Sequence, residues 1–228
     1  MTSDAGAPDI ILKARDLTLT RDGVTLLNAV SADIRRGRIT LLLGHNGAGK
    51  TLLLNSLHGI IEGDSGTIEG PPLERQKMVF QKPIITRRTT AAHLRFLCPG
   101  LDERQLMDWL ERAGMEKRAD APARMLSGGE QQRLALIGAL ATTPEVLFLD
   151  EPTAHLDFAA TNFVEAMIRE AHSAGTTIVM TSHNRAQSER IGEDVLFIDS
   201  GRILEAVPAK SFFAAPRHEL ARQYLAHL

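Results

Sequence analysis

Gly44-His-Asn-Gly-Ala-Gly-Lys-Thr51 follows the short apolar run Ile39-Thr-Leu-Leu-Leu43 and leads into Thr51 to His58, a stretch of good helix formers ending at Gly59. Strand, glycine-rich loop, Lys-Thr and helix in that order match the phosphate-binding loop pattern. Gly44, Gly49, Lys50 and Thr51 are its four fixed positions, a set that arises by chance in roughly one chain in a hundred of this length. The glycines let the backbone wrap closely around phosphate oxygens, so the amides of Gly44, His45, Asn46, Gly47, Ala48 and Gly49, and the helix start at Thr51 and Leu52, present partial positive charge to them. Lys50 is expected to reach the β- and γ-phosphates and Thr51 to ligate Mg²⁺.

Outward from this loop, strand and helix patterns alternate. Ile10 to Thr20 alternates like a strand, Asp22-Gly23 supplies a turn, and Val24 to Leu27 resume, which predicts an antiparallel opening layer. Glycines 63, 66 and 70 mark turns around Gly66-Thr-Ile-Glu69, read as a local hairpin, and Lys77 to Gln81 reads as a further strand. Leu94, Leu97, Leu106, Leu110 and Ala113 give Ala91 to about Ala119 a helical period. A helix opens at Gly128-Gly129 and runs to Ala141, and Val146-Leu-Phe-Leu149 is an almost wholly apolar strand. Asn162–Ser173, Thr176–Thr181, Gln187–Ile191 and Val195–Ile198 continue the alternation, which favours a parallel sheet covered by helices. In such a sheet ligand loops sit at the carboxyl ends of the strands.

Bulk properties narrow the class. The 228 residues allow one sizeable domain; 43% hydrophobic and 24% charged residues are ordinary globular composition. Balancing 26 basic against 28 acidic residues leaves −2, so nothing global points to a nucleic-acid partner. Cys98, the only cysteine, excludes an intramolecular disulfide and any multi-cysteine metal site. No apolar run approaches the ~18–20 residues of a membrane helix. The opening MTSDAGAPD lacks a basic start and an apolar core and reads as a frayed tail.

Two further segments carry chemistry. Val146-Leu-Phe-Leu-Asp-Glu151 sets Asp150 and Glu151 at the end of a buried strand, where one acid can hold magnesium and the other can orient or polarise an attacking water. Leu126-Ser-Gly-Gly-Glu-Gln131 offers a serine hydroxyl and glycine amides at a helix start, a second surface suited to phosphate; a helix capped by Ser127 explains it equally at the local level.

With these three segments in this order, the sequence resembles the ATP-binding cassette family over nearly its full length. The resemblance implies an α/β fold: a P-loop NTPase (RecA-like) core with a parallel sheet, an antiparallel β layer and a small helical subdomain. It divides the single domain 1–228 into a core of 1–81 and about 126–228, with the helical part at about 82–125. In that family two cassettes meet head to tail, so Ser127, Gly128 and Gly129 would act on ATP held by a second copy. Gln81 resembles the Q-loop glutamine that touches Mg²⁺ and water, Ala154-His-Leu-Asp157 the D-loop, and His183 the switch histidine that contacts the γ-phosphate. The implied catalytic set is Glu151, His183, Gln81 and Lys50, with Thr51, Gln81 and Asp150 toward Mg²⁺.

Arg21 and His155 depart from the family pattern. Arg21 stands where an aromatic residue commonly stacks on adenine; a guanidinium can stack as well. His155 occupies a D-loop position that often holds a small residue. The resemblance further implies an ATPase at the cytoplasmic face of the membrane, serving polytopic permease subunits and, for an importer, an extracytoplasmic substrate-binding protein. Val79-Phe-Gln-Lys-Pro-Ile-Ile-Thr-Arg-Arg-Thr-Thr90 is similar to the Q-loop region of tungstate-type oxyanion importers. A cassette that remodels nucleic acid or ribosomes is the alternative, but those usually carry two cassettes or a long coiled-coil insertion. An ordinary phosphate-loop kinase would need neither Leu126–Gln131 nor His183.

Overall fold

In the computed structural model, which describes residues 9–227, strands β1 (Ile10–Arg21) and β2 (Val24–Arg35) form a long antiparallel pair. Asp22 (φ 50°) and Gly23 (φ 76°) make the two-residue turn between them, the left-handed geometry that matches the twist of flanking strands. The stretch read as a frayed tail lies, up to residue 8, outside the described residues. Strand β4 (Ser65–Glu69) adds to the free side of β1, giving the order β2-β1-β4. This corrects the local hairpin expected around Gly66: β4 pairs with residues some fifty positions upstream. Gly66 permits the approach, since a Cβ there would stand 2.6 Å from the Arg15 carbonyl oxygen.

The second sheet collects β3 (Ile39–Leu43), β5 (Gln76–Val79), β6 (Val146–Leu149), β7 (Thr177–Thr181), β8 (Asp194–Asp199) and β9 (Arg202–Pro208) in the order β5-β6-β7-β3-β8-β9. All neighbours are parallel except β8 and β9. Every residue of β3, β6 and β7 is buried, as expected of parallel strands covered on both faces. Along β6, Leu147 and Leu149 enter one core while Val146 and Phe148 enter another, beneath the antiparallel layer and α1 (Lys50–His58). Asp194 takes Arg35 of β2 and, at 2.6 Å, Arg38 just before β3, fastening the two sheets together.

The region expected to be continuously helical from Ala91 to Ala119 is two helices, α2 (Thr90–Leu97) and α3 (Glu103–Arg112). Cys98-Pro99-Gly100 breaks the chain between them, and Asp102 caps the second. Leu94, Leu106 and Leu110 close a third core against Leu134 and Ile137 of α4 (Gly128–Leu140). Cys98 is buried there, its thiol 3.0 Å from the Gly138 carbonyl and pushed up to about 11 by burial. Helices α5 (Phe158–Ser173) and α6 (Arg185–Ile191) each begin earlier than the sequence pattern suggested, capped by Asp157 and Asn184. The chain ends in α7 (Ala209–Ala214) and α8 (Glu219–His227). Among the described residues no helix is long and apolar enough to cross a membrane.

Candidate functional site

The strand order β5-β6-β7-β3 sets four chain exits side by side: Gln81 after β5, Asp150 and Glu151 after β6, His183 after β7, and the glycine loop after β3. The loop needs its glycines. A Cβ at Gly44 would stand 2.1 Å from the Ile198 carbonyl oxygen of β8, and Gly49, at φ 106°, turns the chain into α1. His45, Asn46 and Gly47 are exposed, Ala48 is buried and Leu52 half-buried. Lys50 is 6% exposed; its ammonium donates to the carbonyls of Gly44 (2.8 Å) and His45 (2.9 Å). Burial lowers its pKa from the ordinary lysine value, against the opposing pull of Glu151 and Asp150.

The two acids are held by hydroxyls. Asp150 Oδ1 accepts from Thr51 Oγ1 at 3.1 Å and from Thr181 Oγ1 at 2.8 Å, and the Thr181 oxygen in turn accepts from the Glu151 amide at 2.8 Å. Glu151 sits at φ 44°, a left-handed conformation uncommon for a side chain of this kind. Both its carboxylate oxygens are engaged: Gln81 Nε2 donates to Oε2 at 2.8 Å, and His183 Nε2 lies 2.7 Å from Oε1. Gln81, Glu151 and His183, far apart in sequence, thus form one hydrogen-bonded row beside the Lys50–Thr51 corner. A strained carboxylate clamped between an amide and an imidazole, next to a glycine cradle for phosphate, is an arrangement suited to hydrolysing a nucleoside triphosphate.

A family model described as ABC transporter matches residues 27–154. The chain belongs to the ABC transporter family. Its relatives include the phosphate import ATP-binding protein PstB of Pyrobaculum aerophilum, 35% identical, with 94% of this chain and 97% of that protein covered. The glutamine transport ATP-binding protein GlnQ of Bacillus subtilis is 33% identical, covering 89% and 93%. The tungstate uptake system ATP-binding protein TupC of Peptoclostridium acidaminophilum is 35% identical, covering 81% and 92%. Among solved structures, cbiO1 from Clostridium perfringens, part of the ABC transporter complex cbiONQ, superposes with a TM-score of 0.78 at 30% identity over 96% of both chains. This cassette is therefore an ATP-binding, ATP-hydrolysing subunit of the ABC transporter kind.

The other residues that the sequence singled out for the site stand apart from the row. Ser127 and Gly128 are exposed at the start of α4, where Ser127 and Glu130 form a reciprocal capping box. Gly129 packs toward Ala160 and Leu156, not toward the phosphate loop. Among the described residues no hydrogen bond joins Ser127–Gly129 to the loop or to Glu151. Arg21 ends β1 with its guanidinium donating to Asp64 (3.3 Å) and the Thr20 carbonyl (2.7 Å). The pair is exposed and worth about 0–1 kcal/mol, so it resists stacking on a base only weakly.

Sequence reasoning missed the supports behind the row. Gln187 Oε1 accepts from Thr153 Oγ1 (3.1 Å) and Ser182 Oγ (2.9 Å), stitching the segment after Glu151 to the one before His183. Its amide donates to Glu165, a 4% exposed carboxylate that also meets Arg190 and Arg169. Thr181 was legible only as the end of a strand; the hydroxyl of a strand-terminal threonine beside the two acids was the available signal.

Proposed function

We propose that this cassette powers import of a small solute through a separate polytopic permease, with ATP and Mg²⁺ bound between two copies arranged head to tail. The observation that carries the reading is the Gln81–Glu151–His183 row beside the phosphate loop. In that reading Lys50 leaves the Gly44 and His45 carbonyls for the β- and γ-phosphates, where a cation gains more than at neutral carbonyls. The γ-phosphate likewise competes for the His183 N–H, releasing Glu151 Oε1 to accept a proton from the attacking water while Gln81 keeps the other oxygen aimed. Thr51, Asp150 and Gln81 form an all-oxygen donor set that fits Mg²⁺. When bound, that ion neutralises phosphate charge. Among the described residues no three or more His, Cys, Asp or Glu side chains are grouped so as to hold a metal ion by themselves.

Ser127, Gly128 and Gly129 complete the site from the second copy, a reading supported by the exposure of Ser127 and Gly128 and by the lack, among the described residues, of any hydrogen bond from them to their own phosphate loop. Arg21 stacks on the adenine in this reading. We assign 1–81 and about 126–228 to the catalytic core and about 82–125 to a helical subdomain that meets the permease. Ile84 and Met125 are 75% and 76% exposed, and Met125 lines a 570 Å³ groove with Arg87, Arg88 and Arg124. Exposed apolar side chains ringed by arginines are the composition of an interaction surface. The cassette sits at the cytoplasmic face of the membrane, with an extracytoplasmic binding protein delivering cargo and no nucleic-acid partner. The Val79–Thr90 segment and two relatives named for phosphate and tungstate favour an oxyanion as cargo.

The test is to trap the closed form with Glu151→Gln and ATP and identify proteins co-purifying from detergent-solubilised membranes. A stoichiometric polytopic protein is expected, whose associated binding protein takes up tungstate, molybdate or phosphate. Recovery with soluble proteins alone, under conditions that preserve a known permease complex, overturns the reading.

A further inference from the structure

Helix α8 has no part in the chemistry above, yet it reaches the phosphate loop from behind. The Tyr224 ring, 4% exposed, meets the His45 ring edge-on at 5.2 Å and Phe197 of β8 at 5.4 Å. Its hydroxyl is enclosed and makes no hydrogen bond of proper geometry, although the Gly44 backbone lies close by. Burial pushes that hydroxyl up to about 12; the Gly44 backbone works against the rise and the Glu151 charge adds to it. The phenol is a neutral donor at the back of the site. The same turn of α8 is tied to the switch segment, because Arg185, two residues after His183, donates to the Leu225 carbonyl at 3.0 Å. At its other end α8 is fixed by the His218 amide on the Glu205 carboxylate at 2.6 Å.

A buried hydroxyl without a partner is unfavourable and calls for an explanation, of which a second state that satisfies it is one. Gly44 and His45, the residues beside it, are the two whose carbonyls accept hydrogen bonds from Lys50. Departure of Lys50 toward phosphate leaves this backbone short of a donor and free to reset.

We propose that α8 is a brace linking the phosphate loop to the His183 segment, and that Tyr224 is a positioning residue whose hydroxyl finds its partner on the Gly44–His45 backbone only when nucleotide is bound. The proposal rests on the phosphate loop being the nucleotide site. It predicts an unusual split for Tyr224→Phe, which keeps the ring and removes only the hydroxyl. The ligand-free protein should melt at or above the wild-type temperature, while affinity for Mg-ADP, measured by titration calorimetry, should weaken about fivefold. Tyr224→Phe binding Mg-ADP within twofold of wild type overturns the proposal. Lys50→Ala separates the two levels: if it weakens Mg-ADP binding and Tyr224→Phe does not, the brace fails and the loop reading stands. If Lys50→Ala binds as wild type, the loop reading fails and takes the brace with it.

Discussion

At Glu151 the backbone is held at φ 44° and both carboxylate oxygens are engaged, one by Gln81 and one by His183. A left-handed non-glycine residue costs about 1–3 kcal/mol and persists where its surroundings over-determine it, here through the Thr181 hydroxyl on its amide. Glu151→Gln keeps the shape and removes the base, so steady-state phosphate release should fall by about 10²–10⁴ while ATP still binds. Thr181→Val deletes the hydroxyl that serves both acids; chemical denaturation should show a loss of about 1–3 kcal/mol, with a lower kcat. Retention of both quantities in Thr181→Val would remove threonine from the account. Lys50, Asp150 and Glu151 could be singled out in the sequence because they sit in short ordered motifs, and the structure brings them to one corner. Thr181 could not, because its importance depends on β7 lying beside β6, a pairing no local pattern reports.

Among the elements, α4 shows how one feature serves two ends. Its N-cap was legible at Ser127, and the structure adds the reciprocal bond from the Ser127 amide to Glu130. Ser127→Ala should cost about 1 kcal/mol in denaturant, whereas Ser127→Asp keeps a good cap. If the serine also faces a partner copy's γ-phosphate, the aspartate variant should hold wild-type stability yet lose ATPase activity through like-charge repulsion, and an active Ser127→Asp enzyme would contradict the head-to-tail arrangement. Strands buried on both faces and helices with strong apolar periods were readable. The β4 partner was not, because antiparallel addition to β1 is a long-range choice. Strand β9 was also missed; its residues are mostly part-buried or exposed, and the turn Ser200-Gly201 was its one local marker. The break between α2 and α3 was written in Cys98-Pro99-Gly100, but leucines on both sides kept the helical period running across it.

For the whole molecule, acid response follows from two histidines that burial holds below their ordinary pKa: His58, with Lys77 nearby, and His93, with Arg88 nearby. The unfolded chain takes up protons near pH ~6.5 that the folded one refuses, so stability falls as pH drops below that value. Melting temperature should therefore decline from pH 7.5 to 5.5. His58→Phe, which keeps a ring edge-on to Phe148, should flatten that slope, and an unchanged slope would assign the decline elsewhere. The layered architecture and the strand-end placement of the site were legible at this scale from alternation and motif order. The contribution of α8 was not, since nothing in its own residues names the loop behind which it packs. Cys98, enclosed among the helices with its thiol raised to about 11, carries a practical consequence. A thiolate is the reactive form, so maleimide-type labels should pass the native cassette by. A cysteine introduced at an exposed position outside the phosphate loop, such as Val24, would then be the reactive thiol of the folded protein, so spin or fluorescence labels can be attached without first removing the native sulfur.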